Sequence, residues 1–179
     1  MSEAASIRIE DPDKWAYIAL GSNLGNSQQI IKDAIQRLSE ISERPVVASS
    51  MWKTTPVDCP PDSPPFINAV VGLKPLPGET PETLLAKLQK LEQEFGRKPK
   101  AVLNEARTLD LDLIVFRNEI RGAPELTLPH PRAHERRFVL QPLSELAPGL
   151  VLPGQTKTVV ELLGELPPDT GNSSVERRA

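Results

Sequence analysis

Residues 107–116 read Arg-Thr-Leu-Asp-Leu-Asp-Leu-Ile-Val-Phe. Apolar and charged residues alternate through the first part of this run, which is the period of a half-buried strand. Leu109, Leu111 and Leu113 therefore face one way, and Asp110 and Asp112 the other. Two neighbouring carboxylates repel each other, and a strand gains nothing from the pairing unless a cation is shared. Mg²⁺ commonly accepts such a pair and completes its shell with water and substrate phosphates. Arg107 adds a planar donor suited to phosphate oxygens. The pattern points to the floor of a metal–nucleotide site. The plain alternative is an Asp-x-Asp on a solvated strand face with lysines nearby.

Three further groups have side chains able to do chemistry. Arg97, Lys98, Lys100 and Arg107 make the segment before the Asp strand cationic, suited either to clamping phosphoryl oxygens or to lying in solvent. His130, Arg132, His134, Arg136, Arg137 and Phe138 form a second dense cluster after Leu128-Pro129. Two histidines and one cysteine, Cys59, are too few for a typical structural zinc site, so the cluster is better used beside a nucleotide. Asn68 stands alone among Phe66, Ile67, Ala69 and Val70. Such an amide either is satisfied in a core or reads the donor–acceptor edge of a heterocycle. Phe66 and Phe138 can stack on such a ring.

The elements that must position these groups follow from periodicity. Residues 15–21 read as a buried strand ending at glycine, and Gly21–Gly25 as a turn into a helix, without the Lys-Ser/Thr of a phosphate-binding P-loop. Ile30, Ile31, Ala34, Ile35, Leu38 and Ile41 give that helix its apolar stripe, with Asn26 or Ser27 as cap and Pro45 beyond its end. Strands are expected at 46–54 and 66–73, on either side of a proline-rich loop at 55–65. Thr80 and Pro81 open a second amphipathic helix carrying Leu84, Leu88 and Leu91, closed by Gly96. After the Asp strand come a turn near Asn118, an extended piece at 126–128, and helices near 135–147 and 159–166. The order strand-helix-strand-strand-helix-strand predicts an α+β, ferredoxin-like βαββαβ sandwich, an antiparallel sheet with two helices on one face. The opposite face is expected to be free, with the two aspartates projecting from it.

The chain has 179 residues, 39% hydrophobic and 25% charged, consistent with one globular domain. We divide it into an extension at 1–14, a domain at 15–166 and a flexible polar tail at 167–179. A net charge of −3 supplies no basic field for nucleic acid. No apolar run approaches the ~20 residues of a membrane span. A single cysteine fits a reducing, cytoplasmic compartment, and the polar N-terminus does not read as a secretory signal.

Four stretches in order together resemble the 6-hydroxymethyl-7,8-dihydropterin pyrophosphokinase family. They are residues 16–25, 66–70, 107–112 and 128–131 leading to Arg136-Arg137-Phe138. The resemblance implies transfer of a pyrophosphoryl group from ATP to the pterin hydroxymethyl, with release of AMP, in folate biosynthesis. It implies two Mg²⁺ ions on Asp110 and Asp112, with Arg97 and Arg107 as catalytic phosphate contacts. It places Gln89, Glu92, Leu113, Thr127, His130 and Arg136 at the ATP pocket, and Thr54, Thr55, Val57, Phe66, Asn68 and Phe138 at the pterin. The implied partners are these small molecules; the acidic composition and the lack of a spare apolar helix lead us to expect a monomer, with neither nucleic acid nor membrane involved. Two other uses of the same residues are a Mg²⁺-dependent nucleotidyl transferase or phosphohydrolase, and a non-catalytic ligand-binding module of the same fold.

Overall fold

The computed structural model describes residues 9–23, 26–54, 65–96 and 108–167, together with the backbone of 175–178. Its main sheet is built from β1 (Ala16–Ser22), β2 (Val47–Ala48), β3 (Met51–Thr54), β4 (Phe66–Leu73), β5 (Asp110–Phe116) and β8 (Val175–Arg178). The strand order is β5-β1-β4-β3-β8, with β2 also on β4, and every pairing is antiparallel. A separate hairpin joins β6 (Arg121–Ala123) to β7 (Leu126–Leu128). Among the described residues four α-helices complete the fold: α1 (Ser27–Ser39), α2 (Pro81–Glu94), α3 (Arg137–Leu146) and α4 (Val159–Glu165).

Local chemistry accounts for most of the boundaries. Thr80 caps α2 by accepting from Thr83 N, and the Thr83 hydroxyl accepts from Thr80 N in return, with Pro81 in the first turn. Gly96 follows α2 at φ 93°, a conformation that glycine adopts without a side-chain penalty. Thr158 and Glu161 make the same reciprocal cap on α4. α1 departs from expectation, because Asn26 occupies the N-cap without a side-chain cap bond. Ser27 instead shares a hydroxyl–hydroxyl contact of 3.3 Å with Ser22.

Each face of the sheet carries a core. Ile18, Leu20, Leu109, Leu111 and Leu113 pack with Ile31 and Leu38 of α1 and Leu84 and Leu88 of α2. Tyr17, Val70, Ile114 and Val115 pack on the other side with Val139 and Leu143 of α3 and Val159 and Leu162 of α4. The second face is therefore not free, as the alternation of 107–113 had suggested; α3 and α4 cover one half of it. The expectation failed because the alternation stops at Leu113. Pairing of β5 with β1 shifts between Tyr17 and Ile18, and Ile114 and Val115 both join the second core. Such a bulge leaves one residue unpaired and turns consecutive side chains to one face.

The strand expected at 46–54 is likewise split. β2 pairs Val47 with Gly72 and Ala48 with Val71, whereas β3 places Trp52 opposite Asn68. Continuing the first register would have brought Met51 there. Ser49 lies at the break; its amide donates to Val70 O and its hydroxyl accepts from Val70 N, both at 2.9 Å.

Leu88 is fully buried between α2 and the sheet. Leu88→Ala is expected to cost about 2–5 kcal/mol of stability, whereas Val160→Ala, at a half-exposed site on α4, should cost within about 0.5 kcal/mol. Urea denaturation of the two variants checks both values.

Candidate active site

The antiparallel register places the chemistry-bearing residues in rows across the half of the second face that does not pack on α3 and α4. Gly21 of β1 lies opposite Asp110 of β5 on one side and Asn68 of β4 on the other, and Asn68 lies opposite Trp52 of β3. Asp112 lies opposite Ala19, one pleat further along. Neighbouring strands are ~4.8 Å apart, so Asp110 and Asn68 stand roughly 10 Å apart across the sheet. Only the glycine stands between them. A Cβ on Gly21 would sit 3.1 Å from Asn68 Oδ1, which is tighter than ordinary contact. The sequence marks Gly21 only as the end of a strand before a turn; its part in the site comes from the strand pairing, which no single segment reveals.

Asn68 is 8% exposed, and its Nδ2 donates to Thr54 Oγ1 at 2.5 Å. That bond uses the amide's donor side and leaves Oδ1 beside Gly21. Phe66 shares the face two residues before Asn68 and is half-buried. Asp110 is half-buried and Asp112 exposed.

The cluster after Pro129 is tied to the same edge. His130 N donates to Ile114 O at 2.8 Å, and His130 Nδ1 accepts from Arg132 N at 3.3 Å. Burial pushes the His130 pKa below its ordinary value; Asp112 opposes this, and Arg136 and Arg132 reinforce it. An acceptor role for Nδ1 also suits the neutral ring. Burial likewise lowers the Arg136 pKa, with Arg132 adding to the shift and Asp112 and Glu135 opposing it. The Arg136 guanidinium carbon lies 5.4 Å from the centroid of the Phe138 ring, in cation–π range. Asp112, His130, Arg136 and Phe138 thus come together from three separate segments.

Other predicted site residues stand around this centre. Glu92 of α2 accepts from Leu111 N at 2.7 Å, binding the helix to the outer edge of β5. Leu113 has its side chain in the first core, so only its backbone can serve a ligand. Gln89 is exposed on α2. Thr127 is exposed on β7 and donates to Ala123 O at 3.2 Å. Arg97, Arg107, Thr55 and Val57 lie outside the described residues. An open depression of about 360 Å³ lined by Asp33, Gln36, Arg37, Glu94 and Phe95 belongs to α1 and α2, on the other side of the sheet.

Asp110 and Asp112 share one face, and among the described residues no group of three or more His, Cys, Asp or Glu side chains could hold an ion. A pair of carboxylates suits a hard cation that keeps waters and takes phosphate oxygens, and it does not suit a closed zinc site.

Comparison with known proteins identifies the family. The family model for 7,8-dihydro-6-hydroxymethylpterin-pyrophosphokinase (HPPK) matches residues 17–148. The chain is 40% identical over 149 residues to the 2-amino-4-hydroxy-6-hydroxymethyldihydropteridine pyrophosphokinase of Haemophilus influenzae, covering 83% of this chain and 90% of that one. It is 38% identical to the enzyme of that name in Pseudomonas aeruginosa, covering 84% and 91%. Among solved structures, an HPPK-DHPS of Plasmodium falciparum superposes with a TM-score of 0.64 at 13% identity. That match covers 84% of this chain and 44% of the Plasmodium chain, and it supports the fold alone. With the family model spanning most of the sheet and two bacterial relatives matched along nearly their whole lengths, the chain belongs to the HPPK family.

Proposed function

We propose that the half of the second face that does not pack on α3 and α4 is the active site, with the carboxylate pair and Asn68 at its two sides. As a member of its family, the chain is an ATP-dependent pyrophosphokinase that transfers pyrophosphate from ATP to hydroxymethyldihydropterin in folate biosynthesis. The observation that carries the site assignment is the Asp110–Gly21–Asn68 row. It sets a metal-type carboxylate pair and a heterocycle-type amide roughly 10 Å apart, on either side of a residue that has no side chain of its own.

Asn68 reads the pterin edge through Oδ1, held in orientation by Thr54, and Phe66 and Phe138 stack on the ring. Thr55 and Val57 complete this pocket from the proline-rich loop. Held so, the pterin hydroxymethyl is directed along the row toward Asp110, where the triphosphate lies. Asp110 and Asp112 would hold two Mg²⁺ ions. Bound there, the metal would offset triphosphate charge. Arg97 and Arg107 neutralise charge on the transferring group, and Arg136 and neutral His130 contact the nucleotide beside Gln89, Glu92, Thr127 and the Leu113 backbone.

The β5-β1-β4-β3 order, with α1 and α2 as the two crossovers, supports a ferredoxin-like topology to which α3, α4 and the β6–β7 hairpin are added. We take 15–166 as the catalytic unit, which contains the matched span, and 1–14 and 167–179 as its flanks. We further propose a monomer acting in the cytoplasm, where the single Cys59 stays reduced. No helix among the described residues is long and apolar enough to cross a membrane.

Asp112→Asn is expected to lower kcat on the order of 10³-fold, the rate equivalent of several kcal/mol of charge stabilisation, with the circular dichroism spectrum unchanged. AMP release from ATP in the presence of 6-hydroxymethyl-7,8-dihydropterin measures it. Near-normal turnover would remove Asp112 from the metal site, and ADP or pterin-independent breakdown would indicate a phosphohydrolase.

Gly21→Ala should displace the Asn68 amide and raise KM for the pterin roughly fivefold, about 1 kcal/mol, with KM for ATP little changed. Steady-state kinetics with each substrate varied separately will check this.

His130 supplies a pH dependence. With its folded pKa depressed, the unfolded chain takes up a proton first as pH falls through the ordinary histidine range near 6.5. Stability is therefore present above that range and declines below it, until the folded state also protonates. Urea midpoints between pH 7.5 and 5.5 should fall less steeply in His130→Gln than in the wild type.

A further inference from the structure

We infer that Glu145 is a positioning residue for pterin recognition, acting as a lock on the register of β3; this rests on the assignment of Asn68 to the pterin. Glu145 lies on α3, outside the site. Its Oε1 accepts from the backbone N of Ser50 at 2.8 Å, and its Oε2 accepts from the Trp52 indole N–H at 2.9 Å. Both oxygens of one half-buried carboxylate are thus spent on residues at or just past the β2–β3 break.

That break decides which side chains of β3 reach the site. In the register of β2, Met51 would lie opposite Asn68; the extra residue brings Trp52 there instead. A one-residue slip exchanges the two faces of a strand, so only the observed register turns Trp52 and Thr54 toward α3 and the site. Thr54 then lies opposite Phe66, and its hydroxyl accepts from Asn68 Nδ2. Ser49 satisfies Val70 from the β4 side of the break, by amide and hydroxyl together. Glu145 takes the Ser50 amide from the α3 side. Two anchors thus hold the extra residue in place. β3 makes only three paired positions with β4, too short a ladder to resist slippage strongly by itself. The carboxylate is also specific to its task, because both of its partners are N–H donors. A glutamine would present its own NH₂ to one of them and lose that bond.

The test compares Glu145→Gln, Asn68→Ala and the double variant in steady-state kinetics, with KM measured separately for the pterin and for ATP. Glu145→Gln is expected to raise the pterin KM about tenfold, the equivalent of one charged hydrogen bond lost. The KM for ATP should change by less than about twofold. The double variant should bind pterin no worse than Asn68→Ala alone, because both changes act through the same amide. A merely structural glutamate would lower the melting temperature and leave the pterin KM alone, or shift both KM values together; either result overturns the proposal. A rise in pterin KM with Asn68→Ala but not with folded Glu145→Gln overturns the register lock and leaves the pterin site standing. No rise with either variant overturns both. Should Glu145→Gln not fold, Trp52→Phe removes only the indole bond, and the same selective rise in pterin KM is expected of it.

Discussion

The register of β1 between β4 and β5 is the constraint on which the rest of the molecule depends. It puts Gly21 beside both Asn68 and Asp110, and so decides that an amide and a carboxylate from distant parts of the chain address one space. The apolar positions of the same three strands decide where that space ends. Where Tyr17, Val70, Ile114 and Val115 meet α3 and α4, the face is core; one or two pleats further, it carries Asn68, Gly21, Asp112 and Asp110. One sheet surface thus serves as both packing layer and binding floor. Burial on one half holds the strands rigid under the other half, and rigid elements position reacting groups better than loops do.

Legibility from sequence followed the strength of the local signal. The alternation through Leu109–Leu113 disclosed the strand, the aspartate face and the leucine face together, and the structure keeps all three. The stripes of α1 and α2 were equally readable, because Ile31, Leu38, Leu84 and Leu88 recur at helical spacing. The bulge at Ile114–Val115 was not, since two adjacent apolar residues look alike whichever face they take. The break at Ser49–Ser50 was hidden because serine is compatible with a continuous strand. α3 was foreseen as a helix near 135–147, but no local pattern says which face of a sheet a helix will cover. Glu145 had no signal at all: a glutamate on an amphipathic helix reads as a solvated charge until its partners are known.

Electrostatics at the site is shared between segments. Asp112 draws His130 and Arg136 toward their charged forms, while burial and the neighbouring Arg132 act against it. Arg136 also lies over Phe138, so one cation serves both an aromatic face and an anionic neighbourhood. Glu92 makes a structural bond besides the nucleotide role proposed for it. Its carboxylate accepts from Leu111 N, and any contact with a nucleotide is made by a group already fixed to the strand that carries the aspartates.

That bond, together with the one from His130 N to Ile114 O, lies on the outer side of β5, the first strand of the sheet, while β8 runs along β3 at the opposite margin. A sheet margin with free N–H and C=O groups is a template on which another chain can add a strand. At the β5 margin a second copy would first have to displace a glutamate and a loop amide before any such pairing began. The groups that frame the active site therefore also guard that margin against edge-to-edge pairing when the protein is concentrated.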